Sequence, residues 1–152
     1  MITQDLAILK TVKAAGSRLA GLDIGDRTIG VSLSDTTWQL ATPLQTVERR
    51  GTVKDVAALC QLVQAHHIVG IVAGFPLNMN GEEGPQAQKV RVFADALVAA
   101  IDLPIVLWDE RWSTLAASRA LLEADLSRKK RSKVIDKVAA SYILQGVLDA
   151  IR

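Results

Sequence analysis

The sequence predicts an α/β fold: a mixed five-stranded sheet, three antiparallel strands first and parallel strands after them, flanked by helices. Short alternating runs with tight connections fill residues 18–48, the mark of an antiparallel meander. Strand-like and helix-like periods then alternate to the end of the chain, which implies parallel strands joined by helices packed on the sheet. Of the 152 residues, 49% are hydrophobic, enough to bury one core and to exclude a disordered tail protein.

The elements follow in order. Residues 1–18, "MITQDLAILKTVKAAGSR", read as an N-terminal extension with a short helix lying on the domain, which itself spans 19–152. The segment lacks a basic start and carries Asp5 ahead of its apolar part, so it makes a poor signal peptide. Residues 18–25 read as a buried strand. Asp26, Arg27 and Thr28 make a tight connection to a second strand, where Ile29, Val31 and Leu33 alternate with Gly30, Ser32 and Ser34. Residues 38–48 form the third strand, with Pro43 marking an edge or a bulge.

A helix follows, capped by Thr52, with Val53, Val56, Ala57, Cys60 and Val63 as its apolar stripe. "IVGIVAGFP" (68–76) is a continuous apolar run, the signature of a central strand covered on both faces. "LNMNGEEG" then leads to Pro85, suited to a first helical turn, and Ala87, Val90, Ala94, Leu97 and Ile101 give that helix its stripe. "PIVLW" (104–108) is another buried strand, ending at "DER". A helix is expected over Thr114–Ala124, then a basic loop "SRKKRSK" (127–133), then a long helix to Ile151.

Composition narrows the chemistry. The net charge is +2 and aromatics are 4%, so any nucleic-acid footprint is local and an aromatic stacking surface is excluded. The single cysteine, Cys60, excludes a disulfide within the chain and reads as core; no Cys/His spacing suits zinc. His66 and His67 close a helix, where the dipole favours histidine. No stretch has the roughly 20 apolar residues of a membrane span, and a cytoplasmic chain with no membrane partner is expected.

The carboxylates carry the argument. Asp23 stands in a buried strand, where an ionised group is costly unless paired or metal-bound. Gly21, Asp23 and Gly25 share one strand face, and Gly30, Ser32 and Ser34 form a second small-residue face. Where those two faces coincide, they form a shallow floor that can admit a large ligand; the competing reading pairs Asp23 with an arginine such as Arg27. Asp109 and Glu110 follow a buried strand, at the sheet end where ligands gather, and parity sends them to opposite faces. Asp136 lies about 100° off the polar stripe Lys137, Ser141, Gln145 and Asp149, which turns it toward the sheet. Three carboxylates from two strands and a helix suit a hard cation, Mg²⁺ or Mn²⁺, that keeps several waters. "NMNGEEG" offers Asn78 and Asn80 to phosphate oxygens, and Arg128, Lys129, Lys130 and Arg131 form the only dense basic run.

Four blocks, "GLDIGDRTIGVSLSD", "GFPLNMNGEEGPQ", "DERWST" and "KVIDKVAASYILQ", resemble in order the YqgF family, also called RuvX-like pre-16S ribosomal RNA nucleases. The resemblance covers Leu19 to the end. It implies an RNase H-like fold and a metal-dependent endonuclease maturing the 5′ end of pre-16S rRNA, with Holliday junction resolution proposed for some members. It implies nucleic-acid partners, pre-rRNA or branched DNA, and a monomer or homodimer. By position, Asp23, an acid of the "DER" block (Glu110 favoured over Asp109) and Asp136 would be catalytic and hold the metal. Arg111, Ser113 and Thr114 would flank the second acid on the substrate side. Trp112 stands where aliphatic residues are more usual. Two other classes compete: a phosphotransferase of the sugar-kinase and actin type, which "DIGDRTIG" resembles but which needs a second domain, and a non-catalytic RNA-binding factor.

Overall fold

The computed structural model describes residues 1–112 and 128–152; for Trp112 and residues 128–133 it describes the backbone alone. Ser113, Thr114 and the helix expected over Thr114–Ala124 lie outside the described residues. The strands are β1 (Ile2–Thr3), β2 (Arg18–Ile24), β3 (Thr28–Ser34), β4 (Ala41–Glu48), β5 (Ile68–Phe75) and β6 (Ile105–Asp109). The helices are α1 (Ala7–Thr11), α2 (Thr52–Ala65), α3 (Pro85–Ala100) and α4 (Arg128–Ala150), and a 3₁₀ turn (Glu110–Trp112) follows β6.

The sheet runs β1-β6-β5-β2-β3-β4. β2, β3 and β4 pair antiparallel, while β5 joins β2, and β6 joins β5, in parallel. This is the expected mixed sheet, with six strands instead of five. The addition is β1, whose Ile2 and Thr3 pair in parallel with Ile105 and Val106. Two residues are too few to show alternation, so neighbouring β6, and not local pattern, makes them a strand. Among the described residues β1 and β4 are the two edges, and a register shift in the β3–β4 pair falls at Ser32, opposite Pro43, where a proline lacking its N–H is tolerated.

Alternation divides the core in two. Leu22, Ile24, Ile29, Val31, Ile71, Ala73, Phe75, Ile105 and Leu107 point to the side covered by α2 and α3. Leu19, Val72, Val106 and Trp108 point to the other side, where Ala139, Ile143, Leu144 and Val147 of α4 and Leu9 of α1 meet them.

Three local expectations are corrected. Thr52 does not cap α2: Gly51 takes that position at φ 103°, where glycine alone is unstrained, and no side chain caps the turn. The buried face of α2 is Asp55, Val56 and Leu59, with Cys60 and Val63 packed partly against the core, while Val53 is 85% exposed. The run "SRKKRSK" is not a loop: from Arg128 onward its backbone is the start of α4. Lysine and arginine are good helix formers, and their poor fit to a helix N-terminal dipole is too small to prevent it.

Candidate active site

The site is built by parity and by the absence of side chains. Gly21 and Asp23 occupy the α4 side of β2, and Gly30, Ser32 and Ser34 occupy the same side of β3, with Asp23 directly opposite Gly30. The sequence suggests that this floor lies open. Instead α4 comes down on it. A Cβ on Gly30 would stand 2.8 Å from the backbone nitrogen of Lys137 and closer still to the carbonyl of Asp136. A Cβ on Gly21 would stand 2.7 Å from the Ala140 carbonyl and 2.7 Å from Leu144 Cβ. The Ser32 hydroxyl donates to the Ala140 carbonyl at 2.7 Å. Small residues here let a helix backbone approach the sheet, and the low helix sets the carboxylate of Asp136 at the end of β3. There the Thr28 hydroxyl donates to Asp136 Oδ2.

The end of β6 separates its two acids as parity requires. Glu110 lies on Asp23's side of the sheet: a Cβ on Gly74 would meet its carboxylate carbon at 3.2 Å and Ile143 Cδ1 at 2.6 Å. Gly74 follows Ala73, the partner of Leu22, so β5 carries the Glu110 carboxylate next to the Asp23 end of β2. Asp109 is buried and committed to Arg111. It accepts the Arg111 Nη2–H at 2.6 Å, the Nε–H at 3.0 Å and the backbone N–H at 3.0 Å. Those guanidinium hydrogen bonds hold the Asp109 carboxyl below the usual carboxylate range against its burial, and hold Arg111 above its ordinary value.

Arg111 also donates Nη1–H to the Met79 carbonyl at 3.3 Å, tying β6 to the loop after β5. That loop is closed by its own backbone, Asn78 N–H to the Glu82 carbonyl at 2.9 Å and Gly81 N–H to the Asn78 carbonyl at 2.8 Å. Asn80 accepts the Glu82 N–H at 3.0 Å, while Asn78 packs against Gly84 and is exposed with Asn80. The loop is thus held over the same end of the sheet by Arg111. The side chains of Arg128, Lys129, Lys130 and Arg131 lie outside the described residues.

Asp23, Glu110 and Asp136 therefore share one face and one end of the sheet. Their oxygen donors suit a divalent cation of the magnesium kind. Among the described residues no three His, Cys, Asp or Glu side chains are gathered closely enough to cage an ion. Such a cation does not need a cage, because it retains several waters and few protein ligands suffice. Sequence reasoning missed Thr28, the hydrogen-bond donor to Asp136; its place at the start of β3 opposite a helix acid carries no sequence signal.

A family model described as RuvX: Holliday junction resolvase matches residues 17–150. The chain belongs to the RuvX family. A relative from Roseobacter denitrificans, named "Putative pre-16S rRNA nuclease", is 53% identical over 154 residues, covering 100% of this chain and 94% of its own. A relative of the same name from Cereibacter sphaeroides is 56% identical over 133 residues, covering 88% and 83%. The Roseobacter alignment includes the first 18 residues, which the four sequence blocks leave outside the resemblance.

Among solved structures the fold resembles Thermus thermophilus RuvC in complex with a Holliday junction substrate, at TM-score 0.57 and 13% identity, covering 89% of this chain and 96% of that one. It also resembles fowlpox virus resolvase in complex with Holliday junction DNA, at TM-score 0.53 and 9% identity, covering 88% and 98%. At such identities the likeness is one of fold, and the fold is the RNase H-like one expected.

Proposed function

We propose that this chain is an endonuclease hydrolysing phosphodiester bonds of structured RNA, acting in the maturation of the 5′ end of pre-16S rRNA. It works in the cytoplasm, as a monomer or homodimer, with Mg²⁺ or Mn²⁺ as cofactor. One observation carries this reading: Asp23, Glu110 and Asp136, far apart in sequence, share one face at the carboxyl ends of parallel strands. The names of relatives above 50% identity support the substrate.

A divalent cation bound by Asp23, Glu110 and Asp136 would supply activation of a water and charge stabilisation of the leaving oxygen. The chain's own groups do the rest. Thr28 orients the Asp136 carboxylate. Arg111, anchored on Asp109, holds the Asn78–Glu82 loop, so that the amides of Asn78 and Asn80 meet phosphate or ribose oxygens. Ser113 and Thr114, which follow Glu110 in the sequence, contact substrate. Arg128, Lys129, Lys130 and Arg131 add phosphate contacts, which makes affinity fall with salt.

The family description and the resolvase folds favour a second reading, cleavage of branched DNA. Purified chain with Mg²⁺ or Mn²⁺, offered a pre-16S rRNA precursor and a four-way DNA junction, separates the two. Faster cutting of the RNA near its mature 5′ end is the expected result; faster cutting of the junction selects the alternative. Cleavage of neither substrate overturns both. Changing the basic quartet to glutamine should weaken binding and flatten the dependence of log affinity on log salt by about 0.7–0.9 for each phosphate no longer neutralised. An unchanged slope removes the quartet from the interface.

A further inference from the structure

We infer that Arg49 and Asp55, on the opposite side of the sheet from the acids, are positioning residues for Asp23 and Asp136, acting by clamping the turn between β2 and β3. The catalytic consequence rests on the nuclease reading above; the clamp itself rests on bonding.

Asp55 is 1% exposed in the first turn of α2 and accepts the Arg49 Nε–H at 2.7 Å and the Arg50 backbone N–H at 2.8 Å. A carboxylate this deeply buried persists only when paired. The pairing reaches further than burial requires. Arg49 Nη1–H donates to the Gly25 carbonyl at 2.8 Å, and the Arg49 backbone N–H donates to the Arg27 carbonyl at 2.8 Å. Its guanidinium also lies over the buried ring of Phe93, 5.0 Å from the centroid. One residue thus holds the turn at two carbonyls, and the turn closes on itself through the Gly25 N–H and the Thr28 carbonyl at 2.9 Å.

What leaves the two ends of that turn gives the clamp its role. Asp23 is two residues before Gly25. Thr28, at the other end, donates to Asp136. A shift of the turn therefore displaces two of the three proposed acids together, and misplacement by about 1 Å costs on the order of 100-fold in rate. A cleft of about 680 Å³, lined by Gly25, Asp26, Arg49, Gln86 and Phe93 among others, opens beside the guanidinium and gives a small cation access to its place.

The test compares wild type, Arg49→Ala and Arg49→Lys by amide exchange over residues 25–28 and by single-turnover cleavage of the precursor RNA. Arg49→Ala should lose protection at the Gly25 amide while β5 amides keep theirs. Its cleavage step should slow on the order of 100-fold with RNA affinity unchanged. Ethylguanidinium should restore part of both, and tetramethylammonium at equal ionic strength neither. Arg49→Lys should recover thermal stability through Asp55 while remaining slow, and it carries the test should Arg49→Ala not fold. Unchanged exchange over 25–28 in a folded variant overturns the clamp, as does a rate loss matching the unfolded fraction. A wild-type chain that cuts neither RNA nor junction sinks the nuclease reading alone; exchange over 25–28 then decides the clamp.

Discussion

On the side of the sheet covered by α2 and α3, the strands present Leu22, Ile24, Ile29, Val31, Ile71 and Phe75, large side chains that fill the space beneath the helices. On the side covered by α4, the same strands present Gly21, Asp23, Gly30, Ser32 and Gly74. The first side holds its helices off by the thickness of a core. The second lets a helix backbone rest on the sheet, so that Asp136 ends at the tip of β3, held by Thr28, and not a side chain's length above it. The acids differ in their setting too. Asp55, buried among the large residues, is neutralised by Arg49, whereas the half-buried Asp23 pairs opposite Gly30 and the backbone of Asp136 rests over that same glycine. One side is cohesive throughout; the other is cohesive around Leu19, Val72, Val106 and Trp108 and allows close approach only over its glycines.

The most severe way to break this contrast is to remove a charge from the close side. Asp23→Asn keeps volume and fold, and should lower metal-dependent cleavage by roughly 100- to 1,000-fold, as loss of a preorganised electrostatic group does. Circular dichroism should be unchanged, and full activity in the folded variant removes Asp23 from the mechanism.

The next largest effect comes from adding one carbon to the floor. Gly30→Ala drives a methyl into the Asp136 carbonyl, and should destabilise by about 1–3 kcal/mol through overpacking while displacing Asp136. On the cohesive side, one residue away, Ile29→Val removes a carbon and should cost about 0.5–1.5 kcal/mol with activity intact. Denaturant midpoints paired with cleavage rates check both; equal activity loss in the two variants erases the contrast.

The smallest effect lies in acid, away from either face. Asp35, at the β3–β4 turn, accepts bonds from the Thr37 hydroxyl and from the Leu40 and Gln39 backbone N–H groups, which lower its pKa from 3.8 to about 2. A depressed carboxylate adds stability that is present above its unfolded pKa and is lost as pH falls through the folded one. Asp109 behaves likewise through Arg111. Stability should therefore decline between about pH 4 and pH 2, less steeply in Asp35→Asn. An identical acid profile in that variant excludes Asp35 as a contributor.

Much of this molecule is legible in the chain. Alternation over residues 18–34 identifies β2, β3 and the small-residue face of each, because a strand's period is a local property; that the two faces coincide is set by the pairing of Asp23 with Gly30. Helical displacement turns Asp136 toward the sheet, and parity separates Asp109 from Glu110 for the same reason. What covers the floor is not legible, because small residues admit a ligand and a helix backbone equally well. Asp55 escapes the stripe that includes Val53, because a hydrophobic pattern cannot register a charge neutralised by a residue outside the helix. The basic run reads as a loop because its charges dominate its pattern, while in the backbone its helical propensity prevails.

By itself, then, the sequence determined the order of β2 to β6 with α2 and α3 between them, the alternating faces of the strands, and which acids sit in costly places. These follow from periods of two and of 3.6 residues that act within a few neighbours. Only the tertiary structure decided that β5 returns beside β2, that β1 adds to the far edge, that α4 rests on glycine, and that Arg49 reaches under the turn to Gly25. Those outcomes depend on contacts between segments far apart along the chain, where close packing selects one arrangement among many that the local pattern allows.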